Sequence, residues 1–100
     1  MTESKLGKKN ASDNYVKLER VVKGFAHHHR LRILDLLYRT PELSVDEISQ
    51  QLQIGYMNAS DHVRKMTIAG LVWKKNRGMS VSHILTPRAE SILVFCKKLK

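Results

Sequence analysis

Half way along this 100-residue chain, two predicted helices are separated by a sharp break, and this arrangement constrains the fold more than any other feature. Ser44 and Glu47 have the spacing of a capping box, in which each side chain hydrogen-bonds a free backbone N–H group at the start of a helix. Leu43 and Ile48 occupy the two positions of a hydrophobic staple around the same point. A short helix is therefore predicted to begin here, and a longer one to cover residues 56–70.

The longer helix is predicted to bury one face and to expose the other. Ala59, Val63 and Met66 share one face, so the opposite face is free to meet a partner. That outer face carries Met57, Asn58, Asp61, Arg64 and Lys65. Every surface helix exposes polar side chains, so this pattern alone does not identify the partner.

A β-hairpin is predicted over residues 71–85, where Gly78 can supply the positive φ angle of the turn. Lys74, Lys75 and Arg77 cluster around this turn. The second strand alternates, so one side is expected to carry Met79, Val81, His83 and Leu85 and the other Ser80, Ser82 and Ile84. Trp73 follows two apolar residues at the start of the first strand, so it is expected in the core rather than as a stacking platform.

Two helices are predicted before this central part of the chain. Residues 1–13 are expected to form a mobile tail, which leaves residues 14–100 as the folded domain. Ser12 or Asp13 can cap the first helix. Its apolar stripe comprises Leu18, Val21, Val22 and Phe25. A second helix is predicted over residues 28–39, and its apolar side chains point in so many directions that it is expected at the centre of the fold.

The last helix is predicted to begin with Thr86 as its N-cap and Pro87 in its first turn. Residues 92–96 are all apolar, so this helix needs cover on two sides. The domain itself can supply one side and a second copy of the chain the other, because so short a chain builds only a modest core. The predicted dimer interface comprises Leu18, Val22, Phe25, Ile92, Leu93, Cys96 and Leu99.

The order of these elements predicts one domain, mainly α with a small β-hairpin: three helices, a turn, a fourth helix, two strands and a fifth helix. This is the order of a winged helix-turn-helix. The net charge is +9, and residues 51–100 contain nine basic side chains against two acidic ones. A basic half that contains the fourth helix and the hairpin suits a polyanion such as DNA. A solubilising surface is the alternative that charge alone leaves open.

Several segments, at matching spacing, resemble the ArsR-type winged-helix transcriptional regulators. They are KGFAHHHRLRILDLL (residues 23–37), DEISQQL (46–52), ASDHV (59–63) and AGLV (69–72). MarR-type and related winged helices share much of this pattern. The resemblance implies a homodimeric repressor-like regulator, with residues 56–70 as the recognition helix in the major groove. Residues 74–79 would then form the tip of a wing on the flanking backbone or minor groove, and the terminal helices would form the dimer.

On this interpretation the DNA contacts comprise Met57, Asn58, Ser60, Asp61, Arg64, Lys65, Lys74, Lys75 and Arg77. Asn58 can recognise the edge of adenine, and Asp61 can accept a hydrogen bond from cytosine. Asp61 repels phosphate, so it must either meet a base or pair with Arg64 or Lys65. Ser60 is expected to cap the recognition helix or to contact phosphate at its start.

No metal site is predicted. Metal-sensing members of the family place cysteines in the helix that begins the motif, or Asp/His and His/Glu pairs on the last helix, and this chain has neither set. His27, His28 and His29 are adjacent, about 100° apart on a helix, so they are not expected to converge on one ion. One of them is expected at a helix start, half buried. His62 and His83 lack a partner at metal-binding spacing in the sequence.

No catalytic constellation, cofactor motif or phosphate-cradling glycine loop is present, so an enzyme is not expected. Cys96 is the only cysteine, which excludes an internal disulfide and favours a reducing compartment. We expect it to pack as a buried apolar side chain, with redox sensing as the less favoured alternative. The chain has no secretion signal and no membrane-spanning run, so a soluble, cytoplasmic protein is expected.

Three functions are compatible with the sequence. The favoured one is a sequence-specific DNA-binding transcriptional regulator that binds double-stranded DNA as a homodimer. A winged helix used as a protein–protein interaction module is the second, but such a module has no need of a basic wing. A nonspecific architectural nucleic-acid-binding protein is the third. The sequence does not identify an operator or a small-molecule effector.

Overall fold

The computed structural model describes residues 11–100, with side chains from residue 13 onward, and has the order of elements that the sequence predicts. Its helices and strands are α1 (Ala11–Phe25), α2 (His28–Arg39), α3 (Val45–Leu52), α4 (Tyr56–Ile68), β1 (Val72–Arg77), β2 (Ser80–Leu85) and α5 (Pro87–Lys97). This is a winged helix-turn-helix, as predicted. Because α1 already begins at Ala11, the expected boundary of the tail at Asp13 falls inside a helix. The expected mobility of residues 1–10 concerns residues outside the described part of the chain.

The helix starts are fixed by side chains that the sequence identified. Ser44 Oγ accepts from the backbone N–H of Glu47 at 3.1 Å, and Glu47 Oε1 accepts from the N–H of Ser44 at 2.8 Å, which confirms the capping box. Thr86 caps α5 by accepting from the N–H of Ala89. The expected histidine at a helix start is His27, which is half buried and caps α2.

The core surrounds α2, as the sequence predicts. Ile33, Leu34 and Leu37 of this helix are almost completely buried, and they belong to one core cluster that includes side chains from every later element. α1 crosses the end of α4 at Gly24, where an added Cβ atom would collide with the Cβ atom of Ala69. Glycine at this position therefore lets the first helix approach the helix-turn-helix closely.

The hairpin is antiparallel, with Val72 opposite Leu85, Lys74 opposite His83 and Arg77 opposite Ser80. Gly78 adopts the expected positive φ, at 60°. A third extended segment adds to the free edge of β2, because Leu43 forms a bridge with His83. β2 is thus flanked on both edges. Ser82, which alternates with His83 along the strand, is also buried.

His83 and Leu85, which were predicted to share one side of the strand, both face the core, whereas Met79 and Val81 of the same set are exposed because the hairpin tip projects beyond the core. The prediction for Trp73 was wrong. Its neighbour Val72 faces the core opposite Leu85, so alternation turns Trp73 to the outer face, where it is 53% exposed.

The terminal helices divide the predicted dimer residues into two groups. Leu18, Val22 and Leu99 are exposed, whereas Phe25 and Ile92 pack partly against the core and Cys96 is half buried. Leu93 is only 6% exposed, so its assignment to the dimer interface is corrected: it belongs to the core of the protomer. The exposed apolar surface of α5 is instead formed by Val94 and Phe95. Within the described residues no helix has the length and apolar character needed to span a membrane.

Candidate nucleic-acid interface

The recognition helix α4 is fixed to the core by one face and exposes the other, as predicted. Ala59, Val63 and Met66 are buried, with at most 1% of any of them exposed. Four of the predicted contact residues are exposed on the remaining surface of the helix: Met57, Asn58, Arg64 and Lys65. A rigid inner face and a free polar outer face allow the helix to enter a groove without refolding.

Asp61 forms ion pairs with both cations of this helix. Its Oδ1 lies 2.7 Å from Arg64 Nη2, and its Oδ2 lies 3.1 Å from Lys65 Nζ. The hydrogen bonds from Lys65 and Arg64 lower the pKa of the Asp61 carboxyl, so it is charged at neutral pH. Of the two alternatives that the sequence leaves open, the structure of the free protein shows the ion pair.

A groove of about 440 Å³ separates the recognition helix from the wing. Ser60 and Arg64 line it from α4, and Lys74 lines it from β1. Ser60 does not cap the helix, which corrects one of the two roles expected for it, because the N-cap is Gly55 and Ser60 follows the first turn. It stands instead beside two cations, in a position suited to an anionic group.

The three wing cations do not share one face of the hairpin. Lys74 lies opposite His83, and both line the groove beside the recognition helix. Lys75 and Arg77 alternate with Lys74 along β1 and so lie on the other face or edge of the strand. The three cations that cluster around the turn in the sequence therefore lie in two separate places on the hairpin.

Glu42 pairs with Lys75 and Arg77, a contact that sequence reasoning missed. Its carboxylate forms an ion pair with Arg77 and approaches Lys75 Nζ at 3.9 Å. Its backbone has a left-handed conformation, with φ 66°, and its N–H donates to the carbonyl of His83 at 2.9 Å. Glu42 lies far from its partners along the chain, so only the bridge between Leu43 and His83 brings them together.

All of these ion pairs are substantially exposed to solvent. Exposed pairs contribute only about 0–1 kcal/mol each, so DNA phosphates can compete for the same cations. Lys74 forms no ion pair with any described residue. It is therefore the wing cation that is most readily available to a phosphate.

His62 has partners that its sequence spacing did not suggest. It lies on the inner face of α4, 7% exposed, and its ring centroid is 4.5 Å from that of His27. Arg30 Nε donates to its Nδ1 at 3.0 Å. His83 is more deeply buried, at 2% exposed, and its Nδ1 donates to the carbonyl of Leu43 at 2.8 Å. Within residues 11–100, no group of three or more His, Cys, Asp or Glu side chains is arranged to hold a metal ion.

The fold and this surface define a winged helix-turn-helix domain, and comparison with known proteins identifies its family. No protein-family model matches the chain. The transcriptional repressor PagR of Bacillus anthracis is 36% identical over 84 residues, which cover 79% of this chain and 83% of PagR. The crystal structure of PagR matches with a TM-score of 0.71 and 28% identity, over 82% of this chain and 98% of that one.

A second solved structure has the same fold. It is the homodimeric winged helix-turn-helix DNA-binding domain of Mb0332 from Mycobacterium bovis, described as a possible ArsR-family regulator. It matches with a TM-score of 0.80 and 22% identity, over 88% of this chain and 82% of that one. The chain belongs to the ArsR-type family of winged-helix transcriptional regulators, the family that its sequence motifs resemble. The proteins that it matches are transcriptional regulators.

Proposed function

We propose that this protein is a homodimeric, sequence-specific repressor that binds double-stranded DNA in the cytoplasm. The observation that carries the proposal is the convergence of Arg64 and Lys74 on one groove between a core-bound helix and a projecting hairpin. Such a surface matches a duplex, because the major groove admits a helix while cations beside it meet the backbone.

The two elements have different roles in this proposal. Asn58 and Arg64 of α4 approach base edges, where an amide can recognise adenine and a guanidinium can recognise guanine. Lys74 and Ser60 bind a phosphate at the rim of the major groove, and Lys75 and Arg77 face the backbone beyond it. Met57 and Lys65 complete the surface of the helix, and Asp61 orients the cations or accepts from cytosine.

The proposed dimer uses the exposed apolar surface of the terminal helices. Leu18 and Val22 are one turn apart on α1, and both are more than 40% exposed. Phe25, Ile92, Cys96 and Leu99 extend this surface, now with Phe95 in place of Leu93. Mb0332, which has the same fold, is homodimeric. A two-fold dimer would place two recognition helices about one helical turn of DNA apart, on a palindromic site.

One experiment tests both parts of the proposal. Duplexes that bind the protein are selected from a random pool, and affinity for the selected site is then measured over a range of salt concentrations. We expect log K to fall with log salt by roughly 0.9 for each phosphate contacted. Sedimentation of the complex should show two chains on each duplex. Failure to enrich any sequence at low salt would exclude specific DNA recognition.

Matched variants on α1 test the interface. Val22→Glu should give monomers and weaken binding to the selected site. Val16→Glu is the control, because Val16 has a similar exposure, 44% against 42%, but lies about 120° away around the helix. Equal effects of both substitutions on the dimer would rule out the proposed face.

A further inference from the structure

Four histidines that the proposed DNA contacts do not use lie together where α1, α2 and α4 meet. The ring centroid of His27 is 4.5 Å from His62, 4.6 Å from His28 and 5.4 Å from His29. His29 and His62 are 5.6 Å apart. His62 is the member on the recognition helix, and its buried ring on the inner face lies between α4 and the start of α2.

The hydrogen bonds of three of these rings require the neutral form. An arginine can only donate, so His62 Nδ1 must accept from Arg30 Nε at 3.0 Å. His29 Nδ1 must likewise accept from Arg32 Nη1 at 3.2 Å. His27 Nδ1 accepts from the backbone N–H of His29 at 3.0 Å. A proton added to Nδ1 would set two donors against each other in all three cases.

The same hydrogen bonds disfavour metal binding. When Nδ1 accepts a hydrogen bond, the proton of the neutral ring is on Nε2, which then has no lone pair for an ion. The cluster is therefore better suited to respond to protons.

We propose that His62 is a positioning residue for DNA recognition: its neutral imidazole, held by Arg30 and packed on His27, fixes α4 against the junction of α1 and α2. Protonation releases this contact and lowers sequence discrimination. The effect on DNA rests on the proposed function, whereas the effect on folding does not.

The surroundings of the ring are mostly cationic. His27, His29 and Arg30 face it from α2 and its N-cap, and Asp61 adjoins it on α4. The adjacent groove between α1 and α4 is lined by Arg20, Lys23, Arg30 and Lys65. Asp61 is the carboxylate that adjoins the ring, and it already pairs with Arg64 and Lys65. On α1, Glu19 pairs with Lys23. A further positive charge is therefore repelled.

Burial, followed by the charges of His27 and Arg30, lowers the pKa of His62 below its ordinary value of 6.5. Burial and neighbouring positive charges also lower the pKa of His27 and His29. The unfolded chain then binds more protons than the folded one between the folded pKa and 6.5. The free energy of unfolding is therefore highest above pH 6.5 and decreases as the pH falls towards the folded pKa.

The test compares the wild type with His62→Asn and His28→Asn. In His62→Asn, the asparagine Oδ1 can accept the hydrogen bond from Arg30, but the side chain does not titrate. His28→Asn is the control, because His28 is the exposed member of the cluster. Affinities for a selected and a scrambled duplex are measured at about pH 7.5 and at a pH below the His62 pKa found by NMR titration, so that the ring is neutral in one condition and protonated in the other. Their ratio is used because added positive charge strengthens binding to every duplex.

We expect acidification to lower this ratio roughly two- to tenfold in the wild type and in His28→Asn, the loss corresponding to one hydrogen bond. In His62→Asn the ratio should be nearly independent of pH. An unchanged ratio in the wild type, or the same pH profile in His62→Asn, would overturn the proposal.

Two further measurements do not depend on DNA. The stability of the wild type should fall on acidification more steeply than that of His62→Asn, and the ring of His62 should titrate below 6.5 in NMR spectra. If His62→Asn does not fold, the NMR titration decides: a ring that titrates at or above 6.5 refutes the proposal. If the wild type shows no sequence preference at any pH, the proposed function fails, while these two measurements still test the positioning of α4.

Discussion

The recognition helix and the wing both present cations that are paired with a carboxylate, but the carboxylate comes from different places. In α4, Asp61 pairs with Arg64 and Lys65, three and four residues later on the same helix. In the wing, Lys75 and Arg77 pair with Glu42, which comes from the loop before α3. The first arrangement follows from helical spacing, whereas the second requires the complete fold.

The two regions also differ in how they are attached. The inner face of α4 is part of the core, whereas the hairpin is packed only through its lower half, where Val72, Ser82, His83 and Leu85 are buried. The helix is therefore held in one orientation, and the tip of the wing, from Lys75 to Val81, is exposed. Rigid attachment suits discrimination between bases, and an exposed tip suits contact with a backbone that is the same at every sequence.

The largest expected effect tests this difference in attachment with one substitution made in both regions. Met66→Ala removes a side chain that is 0% exposed, and Met79→Ala removes one that is fully exposed. A buried methionine costs about 2–5 kcal/mol when it is replaced by alanine, whereas an exposed one changes stability by about 0.5 kcal/mol or less. Denaturant unfolding gives both values. Similar losses in the two variants would mean that the wing is packed as tightly as the helix.

The same contrast explains what could be predicted from the sequence. The capping box at Ser44 and the inner face of α4 depend on residues within a turn or two of each other, so spacing was sufficient. Trp73 was misplaced because its apolar neighbours suggested burial, whereas strand alternation decides which face it occupies. Leu93 was misplaced because a helix apolar on all sides does not show which side meets the partner.

Two residues of the site were beyond the reach of the sequence for another reason. Glu42 is a single carboxylate in a loop, and nothing nearby in the chain indicates that a hairpin will fold back beside it. His62 is adjacent to the histidine run only after α2 and α4 have packed together. Both contacts are tertiary: Glu42 meets Arg77, and His62 meets His27, only when the chain is folded.

An intermediate effect tests the division of roles between base recognition and phosphate contact. Arg64→Ala should cost about 1–3 kcal/mol on the selected site and relax the choice of base there. Lys74→Ala should weaken all duplexes by similar factors and reduce the salt slope by about one unit. Each variant is measured on selected and scrambled duplexes at two salt concentrations. Lys98→Ala, beyond the end of α5, controls for loss of charge alone. If Lys74→Ala lowered discrimination and Arg64→Ala did not, the two roles would be reversed.

The smallest expected effect concerns the two carboxylates. Glu42→Gln removes one negative charge beside Lys75 and Arg77, so every duplex should bind more tightly. Since the ion pairs of Glu42 are exposed, the gain should be about 0.2–1 kcal/mol, equal for selected and scrambled duplexes. Asp61→Asn should also strengthen binding overall, but it should reduce discrimination, because the ion pair of Asp61 fixes the guanidinium of Arg64, the side chain that we propose approaches a base.

Glu90→Gln on α5 is the charge-matched control and should leave both measurements unchanged. A loss of affinity in Glu42→Gln would show that Glu42 aligns Arg77 for the backbone rather than competing with it. In that case Glu42 and Asp61 would both orient an arginine. The helix and the wing would then differ only in whether the carboxylate comes from the same element as its cations or from a distant loop. Equal discrimination in Asp61→Asn and the wild type would show instead that the orientation of Arg64 is set by DNA and not by its own helix.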